Sequence, residues 1–221
     1  MRVFITGVSC VGKTTVGRKL AELLGVEFLD LDHEIEVFFG TSIERLQNRF
    51  LTTWSYQEEA AKALIHLLRR PNSGDCVIAL PPSGLMGAYL RAVRKWAGTT
   101  VVLVDRPENI LQRITFYDIE SRRIEKHVTP REEKIHLEEI RKDISYFRKS
   151  YQRAHLQVDI SGLDADGAAR KVKETLQGIG GGRREQGRFQ PDGGGAPSNL
   201  GEPLCRSGQG PPGFSSEKNV P

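Results

Sequence analysis

The sequence predicts an α/β fold of three layers, a five-stranded parallel sheet covered by helices on both faces. Short apolar runs alternate with helical patterns as far as residue 177, the first run opens into a glycine-rich turn, and three helix starts carry capping signatures. The first strand is placed at 2–6, where Val3 to Ile5 form a buried apolar run. A turn from Gly7 to Gly12 follows, then a helix with Val16, Leu20, Leu23 and Leu24 on one face. Further strands are placed at 27–29, 76–80, 100–104 and 155–160. Thr41-x-x-Glu44, Asp105-x-x-Glu108 and Thr129-Pro-Arg-Glu132 read as N-terminal caps, the last with proline at the first helical position. Behind Thr129, the residues Leu137, Ile140, Ile144, Phe147 and Tyr151 fall three or four apart and make one apolar stripe.

Composition sets the limits. A chain of 221 residues with 38% hydrophobic content can bury one core, placed at residues 1–177. From Gly178 to Pro221 Gly, Pro and Ser dominate, so this tail is expected to be disordered, either a dispensable extension or a partner-binding segment. A formal net charge of +4 without a basic block argues against a nucleic-acid partner, and the arginines between Arg113 and Arg153 are better suited to phosphate. Cys10, Cys76 and Cys205 are far apart and form no C-x-x-C pair, so neither a disulfide framework nor a zinc site is expected. No apolar run approaches the roughly 20 residues that span a bilayer. A cleaved leader would destroy the turn at Gly7, so a cytoplasmic monomer without membrane contact is expected.

The turn itself, Gly7-Val-Ser-Cys-Val-Gly-Lys13-Thr14, is a complete G-x-x-x-x-G-K-[ST] between a strand and a helix. Such a turn aims several backbone N–H groups at one point, where the helix also directs the positive end of its dipole. Nucleotide polyphosphate satisfies both, and its contacts are assigned to Gly7, Cys10, Val11, Gly12, Lys13, Thr14 and Thr15. Lys13 should reach the terminal phosphates and the Thr14 hydroxyl should ligate Mg2+. Cys10 reads as a small residue that fits the turn, with a redox role as the alternative. Asp30 and Asp32, where the second strand meets the ligand crevice, can serve a cation and a substrate hydroxyl together.

Gly12-Lys-Thr-Thr-Val-Gly-Arg18-x-Leu-Ala21, Leu24-Gly-x-x-Phe28 and Phe28-Leu-Asp30-Leu-Asp32 resemble the shikimate kinase family, densely over residues 3–45 and diffusely to about 177. The resemblance implies a small phosphate-loop kinase with a mobile lid, using ATP and Mg2+ on a small hydroxylated acceptor. It also implies that Asp30 lies near the metal beside Thr14, and that Asp32 holds the acceptor hydroxyl as the catalytic partner of Lys13. By the same resemblance Arg113 lies along ATP, Arg122 or Arg123 is the lid arginine, and Arg148 contacts the acceptor. The Arg148-to-Tyr151 spacing is one residue short of the family's R-x-x-x-Y.

The acceptor half departs further. Where the family has F-R-x-x-E the chain has Trp54-Ser55-Tyr-Gln-Glu58, so a charged bidentate donor is replaced by one hydroxyl. The family's glycine triplet is Pro81-Pro82-Ser83 before Gly84, which removes two N–H donors. Shikimate is the family's default acceptor, and another polyol or hydroxy acid stays open beside it. A nucleoside or nucleotide kinase using Phe38, Phe39, Trp54 or Tyr56 is the second expectation, and a nucleotide-binding regulator without acceptor binding the third.

Overall fold

The computed structural model describes residues 1–180 apart from 72, 73 and 126, and of 179 and 180 only the backbone. The chain runs β1 (Arg2–Thr6), α1 (Lys13–Leu24), β2 (Glu27–Asp30), α2 (Leu31–Phe39), α3 (Ile43–Gln47), α4 (Thr53–Leu68), β3 (Cys76–Ala79) and α5 (Gly87–Lys95). It continues through β4 (Thr99–Val104), α6 (Pro107–Leu111), β5 (Phe116–Tyr117), β6 (Arg123–Ile124), α7 (Pro130–Tyr151), β7 (Leu156–Asp159) and α8 (Ala165–Gly180). Five strands form a parallel sheet in the order β2-β3-β1-β4-β7, with Phe4 opposite Ile78 and Ile5 opposite Val101.

β1 is buried at every residue because both sheet faces are covered. On one face Val3, Ile5, Val77 and Val101 pack with Val16 and Leu20 of α1 and with Ala169 and Val172 of α8. On the other, Phe4, Ile78 and Leu80 meet Ile35 of α2, Leu64 and Leu67 of α4 and Tyr89 of α5. The carboxyl ends of the strands share one edge, and the phosphate loop leaves the central strand there, where ligands bind in open α/β sheets.

All five expected strands are present, and the Thr129 capping box forms in full, with Pro130 opening α7. Two other caps lie elsewhere. Ser42, not Thr41, caps α3, its oxygen accepting from the Arg45 N–H. Arg106, not Asp105, is the residue before α6, because Pro107 takes the first helical position and fixes where the helix begins. The stripe on α7 is real: Ile140, Phe147 and Tyr151 are buried, and Ile144 packs against them half-buried. β5 and β6 pair in a short antiparallel hairpin that apolar patterning did not announce. α8 extends through Gly180, beyond the composition break after Gln177, and the rest of the expected tail lies outside the described residues. Among the described residues no helix is long and apolar enough to cross a membrane.

Candidate active site

The phosphate loop holds its shape through two glycines. A Cβ on Gly7 would lie 2.7 Å from the Leu103 carbonyl oxygen of the neighbouring strand, so only glycine lets the loop leave β1 so close to β4. Gly12 sits at φ 109°, a backbone that side chains rarely adopt, immediately before α1. Lys13 folds back over the loop, its Nζ donating to the carbonyls of Gly7 at 3.0 Å and Val8 at 2.9 Å. Val11 is fully buried beneath it, while Thr14 and Thr15 face outward at the start of α1.

The acidic pair joins this cradle directly. Thr14 Oγ1 donates to Asp30 Oδ2 at 2.7 Å, and the other oxygen of Asp30 accepts the Asp32 backbone N–H at 3.0 Å. Asp30 is thus the N-cap of α2, and the same carboxylate ties the end of β2 to the first turn of α1. One hydroxyl and one carboxylate side by side suit Mg2+, which keeps several waters and draws its remaining ligands from phosphate. Among the described residues no group of three or more His, Cys, Asp or Glu is arranged to enclose a metal on protein ligands alone.

Arg113, expected along the nucleotide, lies beside this loop. Its guanidinium comes within 3.9 Å of where a Gly12 Cβ would be, and it is held by an ion pair with Asp105. Asp105 also accepts from the Arg106 N–H and from Asn109 Nδ2, both at 2.7 Å. Burial raises the Asp105 carboxyl, but the bonds from Asn109, Arg113 and Arg106 outweigh it and hold the group below the ordinary carboxylate range. The sequence marked Asp105 only as a helix cap, and its fixing of Arg113 shows in the spacing only once α6 is known to be this short.

Arg122, expected as the lid arginine, lies on another element. Arg122 is exposed on the hairpin of β5 and β6, its backbone N–H donating to Asp118 Oδ1. That hairpin rests on α2 and α3: Ser42 donates to the Ile119 carbonyl, Arg45 pairs with Glu120, and Ser121 donates to Glu36. Glu36 also accepts the first N–H of α3, from Ile43. The hairpin's contacts with Ser42, Arg45 and Glu36 were not legible beforehand, because they join residues 77, 75 and 85 positions apart.

On the acceptor side the replaced clamp is structurally occupied. Ser55 donates its N–H to Thr52 Oγ1 and its hydroxyl to the Thr52 carbonyl, completing the start of α4. Glu58 holds Arg91 of α5. The Pro81 carbonyl turns inward to accept from Thr6 Oγ1 at 2.9 Å and from the Gly84 N–H at 2.8 Å. A small cavity lies between Val8, Ser9 and Cys10 of the phosphate loop and Ile110, Ile140 and Asp143. Burial, with the charge of Glu139 nearby, pushes Asp143 up to about 6. Arg148 is five residues on, about 140° around the helix, so it does not share this face. Of the aromatics, Tyr56 is core, whereas Phe38 and Trp54 are exposed. Cys10 lies within the loop, half-buried at φ 57°. Cys76 is a buried thiol that takes no part in a disulfide.

Residues 9–177 match the model of the family described as shikimate kinase. The chain belongs to the shikimate kinase family. A shikimate kinase of Salinibacter ruber is 32% identical over 183 residues, covering 80% of this chain and 81% of that protein. The shikimate kinase of Acinetobacter baylyi is 35% identical over 116 residues, and the match spans only 59% of that relative's length and 50% of this chain. Among solved structures, Acinetobacter baumannii shikimate kinase in complex with shikimate superposes with a TM-score of 0.60 at 27% identity, over 80% of this chain and 93% of that one. The fold is therefore that of the family, a phosphate-loop kinase sheet with its helices.

Proposed function

We propose that this chain is an ATP-dependent kinase that transfers the γ-phosphate to a hydroxyl of a small metabolite, shikimate being the acceptor its relatives' names imply. The observation that carries the reading is the continuous connection from phosphate loop to acidic pair, Thr14 to Asp30 to Asp32. A binding protein has no need to hold a carboxylate pair against its phosphate loop.

In this reading the loop N–H groups and Lys13 cradle the β and γ phosphates, Lys13 exchanging its bonds to Gly7 and Val8 for phosphate oxygens. Thr14 and Asp30 would hold Mg2+, which would neutralise charge on the terminal phosphates. Asp32 orients the acceptor hydroxyl and takes its proton as the oxygen forms its bond to phosphorus and the bond to ADP breaks. Asp105 keeps Arg113 against the nucleotide. Catalysis is positioning and charge neutralisation throughout.

The test is ADP release coupled to a chromogenic readout, with and without hydroxylated acceptors. Asp32→Asn should lower acceptor-dependent turnover about 100-fold or more while leaving ATP affinity within about threefold. An unchanged rate in that variant removes Asp32 from the mechanism.

A further inference from the structure

We infer that Glu36 is a positioning residue for the transfer, the seat on which the β5–β6 hairpin closes the crevice beside Asp32. The inference rests on the kinase reading above and adds a residue to it.

α2 buries Leu31 and Ile35, which leaves Asp32 and Glu36 half-buried along one flank. Four residues apart, they are neighbours on the helix surface, separated by about 6 Å of rise. Asp32 stands at the end of the helix that Asp30 caps, and Glu36 stands one turn on, toward α3. Whatever rests on Glu36 therefore lies beside the acidic pair. A single oxygen of Glu36, Oε1, accepts both the Ile43 N–H at 3.1 Å and the Ser121 hydroxyl. The first bond fixes the start of α3, and the second holds the hairpin tip. α3 grips the same tip, since Ser42 donates to the Ile119 carbonyl and Arg45 pairs with Glu120.

The tip is shaped by its own bonds. The Asp118 carboxylate accepts the N–H groups of Glu120 at 2.9 Å and Arg122 at 2.8 Å, and the Asp118 carbonyl accepts from Ser121. It docks as one unit. At its base the hairpin rests on α7, where the Phe116 ring is buried 5.7 Å from the His136 ring. His136 lies one turn before Ile140, which faces Val8, Ser9 and Cys10 across the small cavity. A strap that begins there and ends on the Asp32 flank of α2 spans the space between phosphate loop and acidic pair. With the strap seated, the acceptor hydroxyl rather than water meets the γ-phosphate. Loss of Glu36 releases both the tip and the helix that grips it.

The deciding experiment follows Ser121→Ala, Glu36→Ala and Glu36→Gln in the full chain by two readouts. One is tryptic cleavage after Arg122 and Arg123, both exposed on the hairpin, identified by fragment mass. The other is ADP release with ATP and Mg2+, without acceptor and across shikimate concentrations. Ser121→Ala keeps the bond to Ile43 and loses only the strap, so it separates seating of the hairpin from support of α3. Ser121→Ala and Glu36→Ala should each speed cleavage about fivefold or more and raise acceptor-free ADP release several-fold. Both should raise KM for shikimate about fivefold, with the Kd for ATP within about twofold of the wild type. Glu36→Gln retains Oε1 as an acceptor and should stay within about twofold of the wild type on both readouts. Wild-type rates of cleavage and of acceptor-free ADP release in Ser121→Ala overturn the inference, whatever Glu36→Ala does, and leave the kinase reading intact. A wild-type chain that releases no ADP with or without shikimate overturns the kinase reading, and the role of Glu36 in transfer falls with it.

Discussion

Single side chains set the chemistry of the crevice. Lys13 closes the phosphate loop on itself, and in the proposed mechanism exchanges two carbonyls for phosphate, so Lys13→Ala should cut ATP turnover about 100-fold or more. Single-turnover measurement will separate that loss from folding. Asp143 carries a second consequence. Its folded pKa is about 6 against an unfolded value near 4, so between those values the folded chain holds a proton that the unfolded chain has released. Stability therefore falls as pH rises through that window, and the cost persists above it. Asp143→Asn should raise Tm by about 5–10 °C at pH 8 and leave it nearly unchanged at pH 4, which thermal melts at the two pH values will check. The donor residues were legible because Gly7, Gly12, Lys13 and Thr14 are neighbours in sequence and their geometry is local. Asp143 left no signal, since its environment is made by a loop more than 130 positions away.

Elements differ in how openly they declare themselves. The start of α7 combines Thr129, Pro130 and Glu132 within four residues, and the capping box appears as written. Thr129→Ala should cost about 1 kcal/mol, read as a fall in Tm of roughly 2–4 °C. β1, β3 and β4 were visible as apolar runs because both faces of the sheet are buried there. β5 and β6 have two residues each, too few for any period to show, and their position is fixed by Ser42, Arg45 and Glu36 instead. The exposed pair of Arg45 with Glu120 adds little to folding, so Arg45→Ala should leave Tm almost unchanged. The same variant should loosen the hairpin and raise the ATPase rate without acceptor several-fold, because water then reaches the site. Unchanged uncoupled hydrolysis would show that the hairpin does not shield the crevice.

At the scale of the molecule, one sheet edge gathers everything the kinase reading needs. Strand order puts β1 at the centre, the phosphate loop at its carboxyl end, Asp30 two strands away on β2, and Asp105 just past β4. The loop's departure from β1 leaves no room for a side chain at Gly7, so Gly7→Ala should cost about 1–3 kcal/mol and weaken nucleotide binding together, measurable by calorimetry and melting. The hairpin resting on α2 and α3 should make nucleotide association depend unusually on ionic strength. Salt weakens attraction between a phosphate and a cationic cradle, so nucleotide association would ordinarily slow as ions are added. Here the pair of Arg45 with Glu120 is screened by the same ions and is one of the ties holding the strap down. Moderate salt should therefore loosen the entrance while it dims the attraction, and the association rate should pass through a maximum between low and high ionic strength.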